Sequence, residues 1–441
     1  MANRLIRQSN FVSFDGTVST TTAHQRPDRY RHMESIEKQM PRIARGGGYS
    51  YSAASFRENT LVQEMILFNR LLEFDPHQLT IKVESGVRLG DLLTWAIKRK
   101  LYFPVIPGYP LITIGGCVAA DVHGKNPYRD GTFSDWVKEL TVFHPESGYH
   151  VISPTVSTEL FSSTCGGFGL TGIITDVTLQ LVQLPANHVV TSRRLIQSLG
   201  AAVESISCSE DDFCYSWHDG SPGAQFGRGI VFSGRWGRNE SSDIVLPTRY
   251  MTAESRGRLP FSLWNAVTAR IANSAFFLRS KFDARSSEQN VLAVSFPFVF
   301  NTFYHKSFGR PGFREAQILI SKERIATFLD SLEKLVAATK PPTIMISLKQ
   351  FRGQQKSLSM TGMGYLVAVD CFQNSGTTKF FDQLDELTIS DKGQPNLTKD
   401  SRLPRDVAES SIRHYHEFSG FLSKYDTSRL FRSELSARIG L

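Results

Sequence analysis

Apolar and polar positions alternate in short runs over the first 185 residues, the texture of strands broken by brief helices. Residues 79–84, Leu-Thr-Ile-Lys-Val-Glu, alternate with a period of two and predict a strand. Leu89, Leu92, Leu93, Ala96 and Ile97 follow at helical spacing. Lys98-Arg-Lys100 would fill the last turn, where cations complement the helix dipole. Pro104, Pro107 and Pro110 hold the approach to a Gly115-Gly116 loop extended. Residues 156–163 read as helix and 173–182 as strand. The texture changes near Gln183-Leu-Pro-Ala-Asn187. Beyond it, 229–233, 316–320 and 365–370 predict strands, and 322–336 predicts a helix between the latter two. Strand, helix, strand over an antiparallel sheet gives an expected α+β class. A first lobe spans 1–187, a second 188–393, and 394–441 is expected to return to the first.

Three glycine-rich segments carry the chemistry. Pro41-Arg-Ile-Ala-Arg-Gly-Gly-Gly-Tyr-Ser-Tyr-Ser52 is a short strand running into three glycines and then hydroxyls. Such a turn can aim successive N–H groups into a concavity that suits a pyrophosphate. Ile112-Thr-Ile-Gly-Gly-Cys-Val-Ala-Ala-Asp-Val-His-Gly-Lys-Asn126 joins a Gly-Gly break to a small-residue run, then to His123 and Lys125. Two residues without Cβ let the backbone approach a bulky planar cofactor; a plain glycine turn before a core strand is the other reading. Cys165-Gly-Gly-Phe-Gly-Leu-Thr-Gly-Ile-Ile174 contains a literal G-x-G-x-x-G at Gly167, Gly169 and Gly172. A dinucleotide fingerprint must follow a strand and open a helix. Here the order is reversed, and no acidic residue stands about twenty positions on to hold a ribose, so the Rossmann reading is rejected.

Composition narrows the class. At 441 residues, 41% hydrophobic and 21% charged, the chain reads as a globular protein of two lobes. No run approaches a spanning helix, and 291–300, the nearest, contains a proline. The opening ten residues lack the apolar core of a secretory signal, so the expectation is cytoplasmic, peripheral at a membrane at most. Five scattered cysteines show no metal-site spacing. Lys and Arg total 50 against 42 acidic residues, a net +8 that favours anionic partners. Nothing resembles a nucleic-acid motif. The segment 249–285 is the most basic, with Arg249, Arg256, Arg258, Arg270, Arg279, Lys281 and Arg285 against Glu254 and Asp283. Leu263, Trp264, Val267, Ile271 and Leu278 give it an apolar stripe, so it reads as a basic amphipathic helix. It would lie on an anionic membrane or form the solvated face of a cap helix.

The order Arg-Gly-Gly-Gly-Tyr-Ser-Tyr51, Pro107-Gly108, Thr113-Ile-Gly-Gly116, Asp121-Val-His-Gly-Lys-Asn126 and Gly169-Leu-Thr-Gly-Ile-Ile174 resembles FAD-binding domains of the vanillyl-alcohol-oxidase type. Within that superfamily the chain is similar to the decaprenylphosphoryl-β-D-ribose oxidase family of cell-wall arabinan biosynthesis. Thr398-Lys-Asp-Ser-Arg402 and Tyr425-Asp-Thr-Ser-Arg-Leu-Phe431 carry the likeness to the C-terminus. The resemblance runs from about residue 40 to the end and is weaker in the middle. It implies an FAD-binding domain (1–187), an inserted substrate or cap domain built on an antiparallel sheet (188–393), and a C-terminal return (394–441).

It also implies FAD, held by Arg45, Gly46, Gly47, Gly48, Tyr49, Ser50, Tyr51, Gly108, Thr113, Ile114, Gly115, Gly116, Ala120, Asp121, Val122, His123, Gly172, Ile174 and Asn396. Catalysis would fall to Lys399, His123 and Tyr51. An ammonium near the flavin can hydrogen-bond the reacting hydroxyl and stabilise a reduced ring, although lone lysines near a C-terminus are usually solvated. Tyr51 stands where related aldonolactone oxidases often place a His bonded to FAD, which implies non-covalent binding. Tyr304, Gln317, Lys349 and Lys125 would meet the substrate, with Lys349 as a point charge for phosphate. Glu315 stands where the best-known relatives carry Gln, and Leu366 and Ala368 stand where they carry Asn-x-Cys. The implied reaction oxidises the 2-hydroxyl of a polyprenylphosphoryl ribose to a ketone, and a separate NAD(P)H-dependent reductase completes an epimerisation. An aldonolactone or polyol oxidase using oxygen is the alternative, and a non-catalytic polyanion-binding protein a third reading.

Overall fold

The computed structural model describes residues 6–237, 259–282, 286–296 and 302–441. Of the basic segment, 249–258 and 283–285 lie outside these residues, as do 297–300 of the apolar run. The architecture is mixed helix and sheet. A four-stranded sheet pairs Ile6–Val12 with Ser19–Gln25 antiparallel, then adds Leu61–Glu64 and Arg42–Arg45 in parallel. A five-stranded antiparallel sheet runs Leu71–Asp75, Thr80–Glu84, Ile173–Gln180, Val137–His144 and Gly148–Ile152. Helices Leu89–Ile97 and Ile114–Ala119 join its core, where Val83, Leu92, Val142 and Val177 are buried with Ile114 and Val118.

Two local expectations shift. Lys98 caps the first of these helices and Lys100 turns to φ +57, so the cations stand just past its end. Gly115 and Gly116 are not a loop but the first turn of the Ile114–Ala119 helix. Thr113 is its N-cap, and Oγ1 accepts from the Gly116 N–H at 3.3 Å. A capping threonine satisfies a donor that helix geometry orphans, and that starts a helix despite two glycines.

The largest sheet has eight antiparallel strands, in the order Ser286–Asn290, His188–Ile196, Gly229–Trp236, Phe213–Asp219, Thr343–Phe351, Gly364–Phe372, Phe313–Ile320 and Gln394–Pro395. Helices Leu199–Ser207, Ile325–Thr339 and Thr377–Ser390 cover one face. The helix expected at 322–336 is Ile325–Thr339, with Arg324 at its start. Ala316, Ile318 and Ile320 point at these helices, as do Ile346, Leu348, Val367, Val369 and Cys371. Side chains alternate along a strand, so Glu315, Gln317, Lys349 and Asp370 share the opposite face.

The tail returns to the four-stranded sheet. Leu403, Val407, Tyr415, Phe418, Leu435 and Ile439 are buried against Ile43, Phe56 and Val62. The Arg42 N–H donates to Leu430 O at 2.8 Å, and Arg432 N–H to Arg42 O at 3.2 Å. That tie draws the C-terminal segment onto the strand feeding the first glycine turn. Among the described residues no helix is long and apolar enough to cross a membrane.

Candidate active site

The first glycine turn leaves the Arg42–Arg45 strand and lies against residues 111–113. A Cβ on Gly46 would stand 2.1 Å from Thr113 Oγ1, and one on Gly47 2.7 Å from Leu111 O. Gly48 adopts φ +76, open to glycine at no steric cost. Among the described residues the N–H groups of Gly47, Gly48 and Ser50 donate to no carbonyl. Three donors left without a backbone acceptor in one turn are what a pyrophosphate cradle requires. Beyond it an aromatic wall forms, with Tyr49 4.6 Å from Tyr109 and Phe14 stacked 5.3 Å from Tyr51. The Arg45 guanidinium packs against Gly48, where a Cβ would meet Nη2 at 2.2 Å, while donating to Ser55 Oγ at 2.7 Å and covering Phe11.

The two glycines of the second segment do different work. A Cβ on Gly115 would meet Ser85 Cβ at 2.7 Å, so that glycine serves packing. On Gly116 it would meet Thr113 Oγ1 at 3.1 Å and only touch Ile112 Cγ2 at 4.0 Å. The side chains of Ile114 and Ile174 are core, and Gly172 packs on Val142 and Phe143. Ala120 ends the short helix and Val122 is half-buried, while Gly108 lies in the turn before Tyr109. Asp121 is buried, accepting from Ser134 N–H at 2.8 Å and Thr132 Oγ1 at 3.0 Å. Its carboxylate therefore braces a turn instead of facing the cleft.

His123 Nδ1 donates to Gly124 O at 3.0 Å, which leaves the lone pair on Nε2. Burial, then the nearby Lys349 ammonium, push the imidazole down to about 3, so it is neutral at physiological pH. Lys349 Nζ donates to the same Gly124 carbonyl at 3.4 Å. Burial, then Lys399, lower Lys349 to about 8. Lys125 is buried near Lys349, and burial and that neighbouring charge lower its pKa. Its Nζ donates to Val294 O and Ser295 O at the end of the Val291–Ser295 helix. It is a strut tying the 121–126 segment to that helix.

Lys399 is delivered by its neighbours. Tyr51 N–H donates to Thr398 O at 3.0 Å, and Lys399 Nζ lies 3.9 Å over the Tyr51 ring. Asp400 accepts from the N–H groups of Arg402 and Leu403. Arg402 makes a bidentate pair with Asp385 at 2.6 and 2.7 Å. Ser401 meets Thr17 and Arg314. The Asp-Ser-Arg run is thus a clamp that fixes one lysine, because a bidentate fork sets orientation as well as distance. Asn396 adds a second anchor, its Nδ2 donating to Gln317 Oε1 at 2.8 Å.

Opposite Lys399 the sheet presents two carboxyls that periodicity could not foresee as a pair. Glu315 and Asp370 are direct cross-strand partners, and both are buried. Glu315 accepts from Gln317 Nε2 at 2.5 Å and from Lys399 Nζ at 3.5 Å. Asp370 Oδ2 accepts from the Tyr304 hydroxyl at 3.2 Å, and among the described residues its Oδ1 has no partner. Burial, then the charge of Glu315, push the Asp370 carboxyl well above its usual range. Like charges directly opposite destabilise a strand pair, so the Glu315 carboxylate favours the protonated form of Asp370. Burial and the same two carboxylates keep the Tyr51 and Tyr304 phenols protonated.

Comparison with known proteins agrees with this geometry. A family model described as an FAD binding domain matches residues 34–153, which contain both the first glycine turn and His123. Decaprenylphosphoryl-beta-D-ribose oxidase of Mycolicibacterium smegmatis is 25% identical over 413 residues, 90% of this chain and 89% of that enzyme. D-lactate dehydrogenase of Anaerostipes hadrus is 34% identical over 126 residues, 27% of this chain and 26% of that enzyme. L-gulonolactone oxidase 5 of Arabidopsis thaliana is 31% identical over 120 residues, 26% of this chain and 20% of that protein. The latter two likenesses are partial; the first runs over most of the chain.

Proposed function

From the premise that the chain is an FAD-binding oxidoreductase acting on CH–OH, similar to decaprenylphosphoryl-β-D-ribose oxidase, we propose that it oxidises a secondary hydroxyl of a glycosyl phosphate. The substrate we favour is a polyprenylphosphoryl ribose, taken to its 2-ketone. The carrying observation is the convergence of Lys399, His123 and Lys349 with the Glu315–Asp370 pair on the face opposite the helical core. The residues fit FAD: the unbonded N–H groups of Gly47, Gly48 and Ser50 suit its pyrophosphate, and Gly116 opens a path for a flat ring. Tyr51 and the aromatic wall would flank the flavin, and Tyr51 offers no imidazole for a covalent link. The overall plan is a flavin domain of the vanillyl-alcohol-oxidase type with an inserted cap domain. When bound, FAD supplies the acceptor for the hydride leaving carbon.

The chain's own groups do the rest. Lys349 faces the phosphate as a compact cation. Lys399 donates to the reacting hydroxyl and stabilises the negative charge that develops beside it. His123, neutral with a lone pair on Nε2, accepts a hydrogen bond from the sugar and orients it. Glu315, within reach of the Lys399 ammonium, takes the hydroxyl proton into the pair it forms with Asp370. A separate reductase acting on the ketone would complete an epimerisation.

Anaerobic titration of the FAD-loaded enzyme with a prenylphosphoryl ribose tests the reading: the flavin absorbance should bleach stoichiometrically. Lys399→Ala should stay yellow and folded but unbleached, and Glu315→Gln should bleach about a hundredfold more slowly. Hydrogen peroxide formation from a soluble aldonolactone or polyol, with no bleaching by the glycosyl phosphate, would replace this reading with the oxygen-using oxidase.

A further inference from the structure

We propose that the Ala266–Phe282 helix is a docking face for an anionic lipid surface. A surface helix ordinarily turns its apolar stripe toward the core. This one does the reverse. Its covered side carries Ala269, Asn273, Phe277 and Ser280. Asn273 is buried, and Nδ2 donates to Asp219 Oδ1 at 2.8 Å, Ile344 O at 2.7 Å and Ser221 Oγ at 3.2 Å. Those bonds fix the rotation, because turning the helix over would strip partners from a buried amide and a buried carboxylate. At about 100° per residue, Val267, Ile271, Leu278 and Phe282 then fall within about 60° of one another on the outer side. They are 66%, 63%, 51% and 88% exposed, and Phe261, 59% exposed, lies just upstream.

The charge around the stripe selects the occupant. Arg270 and Lys281 lie along one edge and Arg279 along the other, and the helix contains no acidic residue. An apolar stripe between cations suits an interfacial helix, whose side chains enter the acyl boundary while its cations meet lipid phosphate. A second copy of the chain would bring the same cations against their own kind across a two-fold contact. The helix also starts beside the candidate site. Trp264 Nε1 donates to Ser307 Oγ at 2.6 Å, and its ring lies 6.1 Å from Tyr304, which bonds Asp370. Docking here would bring the site to the plane where a lipid-borne substrate resides. The inference stands on the helix alone and does not need the substrate proposed above.

Flotation of the FAD-loaded full chain with phosphatidylcholine vesicles, with and without phosphatidylglycerol, tests it. Binding should require the anionic lipid and weaken at high salt. Ile271→Gln/Leu278→Gln should lower partition at least about tenfold, with an unchanged flavin spectrum reporting an intact fold. Arg270→Gln/Lys281→Gln, which leaves the apolar stripe alone, should abolish the preference for anionic vesicles. No binding by the wild type, or equal binding by these variants, overturns the proposal. So does a dimer that dissociates in the Ile271/Leu278 variant, which would assign the face to a second copy. Vesicle binding is read without substrate, so its failure leaves the oxidation chemistry standing, and the reverse holds.

Discussion

Replacing Glu315 with Gln should stabilise the folded protein while slowing its chemistry. Glu315 and Asp370 are opposed on adjacent strands, where Cβ atoms lie about 5 Å apart. Once Asp370 has lost its proton, two unit charges at that spacing repel by roughly 3 kcal/mol at an effective dielectric near 20, the upper bound of what the pair costs. The substitution removes this term and keeps an amide oxygen for Gln317 to donate to. It forfeits the Lys399 ion pair, whose lysine is a quarter exposed, at a cost of about 0.5–1 kcal/mol. At that upper bound, reached toward high pH, the net gain is about 2 kcal/mol, a rise in Tm of roughly 2–4 °C.

The sign with pH follows from proton counting. Asp370 is raised above its ordinary 3.8 in the folded state. Above that ordinary value the native protein therefore binds more protons than the unfolded chain, and stability falls as pH rises toward the raised pKa. Glu315→Gln weakens the shift, so its advantage should be small near pH 4 and grow toward pH 8. Both proteins are melted with saturating FAD, because ligand binding itself raises Tm. A variant no more stable than wild type at pH 8, or an advantage equal at both ends, would refute the claim that Glu315 raises Asp370.

Other expectations follow from the same geometry. The Lys349 ammonium is charged below about 8 and loses its proton above, so KM for a phosphorylated sugar should climb as pH passes 8 while kcat holds. Lys349→Arg should flatten that rise, and an unchanged KM profile would remove Lys349 from phosphate binding. Arg402→Lys keeps the charge but loses the fork to Asp385; it should cost about 1–3 kcal/mol in denaturant melts and slow flavin reduction through a displaced Lys399. Normal single-turnover rates in that variant would show that the clamp does not position the lysine. Gly48→Ala puts a Cβ on a residue at φ +76, a strain of roughly 1–2 kcal/mol. It should leave the purified protein depleted of flavin by its absorbance ratio, and full flavin content would contradict a role for this turn in binding.

What the sequence disclosed and what it withheld divide along a physical line. The bend at Gly48 was legible because positive φ is written into residue type, whereas Lys399 was singled out by the likeness of its Lys-Asp-Ser-Arg context, and only the structure shows the bonds that hold that run. The parity of 316, 318 and 320 shows that a strand has two faces, but not which face meets helices. Glu315 could be seen as an oddity; its pairing with Asp370, 55 positions away, depends on strand register, which no local pattern encodes. Lys125 and Lys349 look alike as lysines, yet one is spent on two helix-end carbonyls and the other faces the site. The Ala266–Phe282 helix carries the same lesson furthest. Its apolar stripe was readable, and ordinary reasoning turns such a stripe inward. Three hydrogen bonds donated by one buried asparagine hold the stripe outward, because turning the helix over would leave a buried amide and its acceptors unsatisfied. Polar satisfaction, not hydrophobic periodicity, decides which way this part of the protein faces.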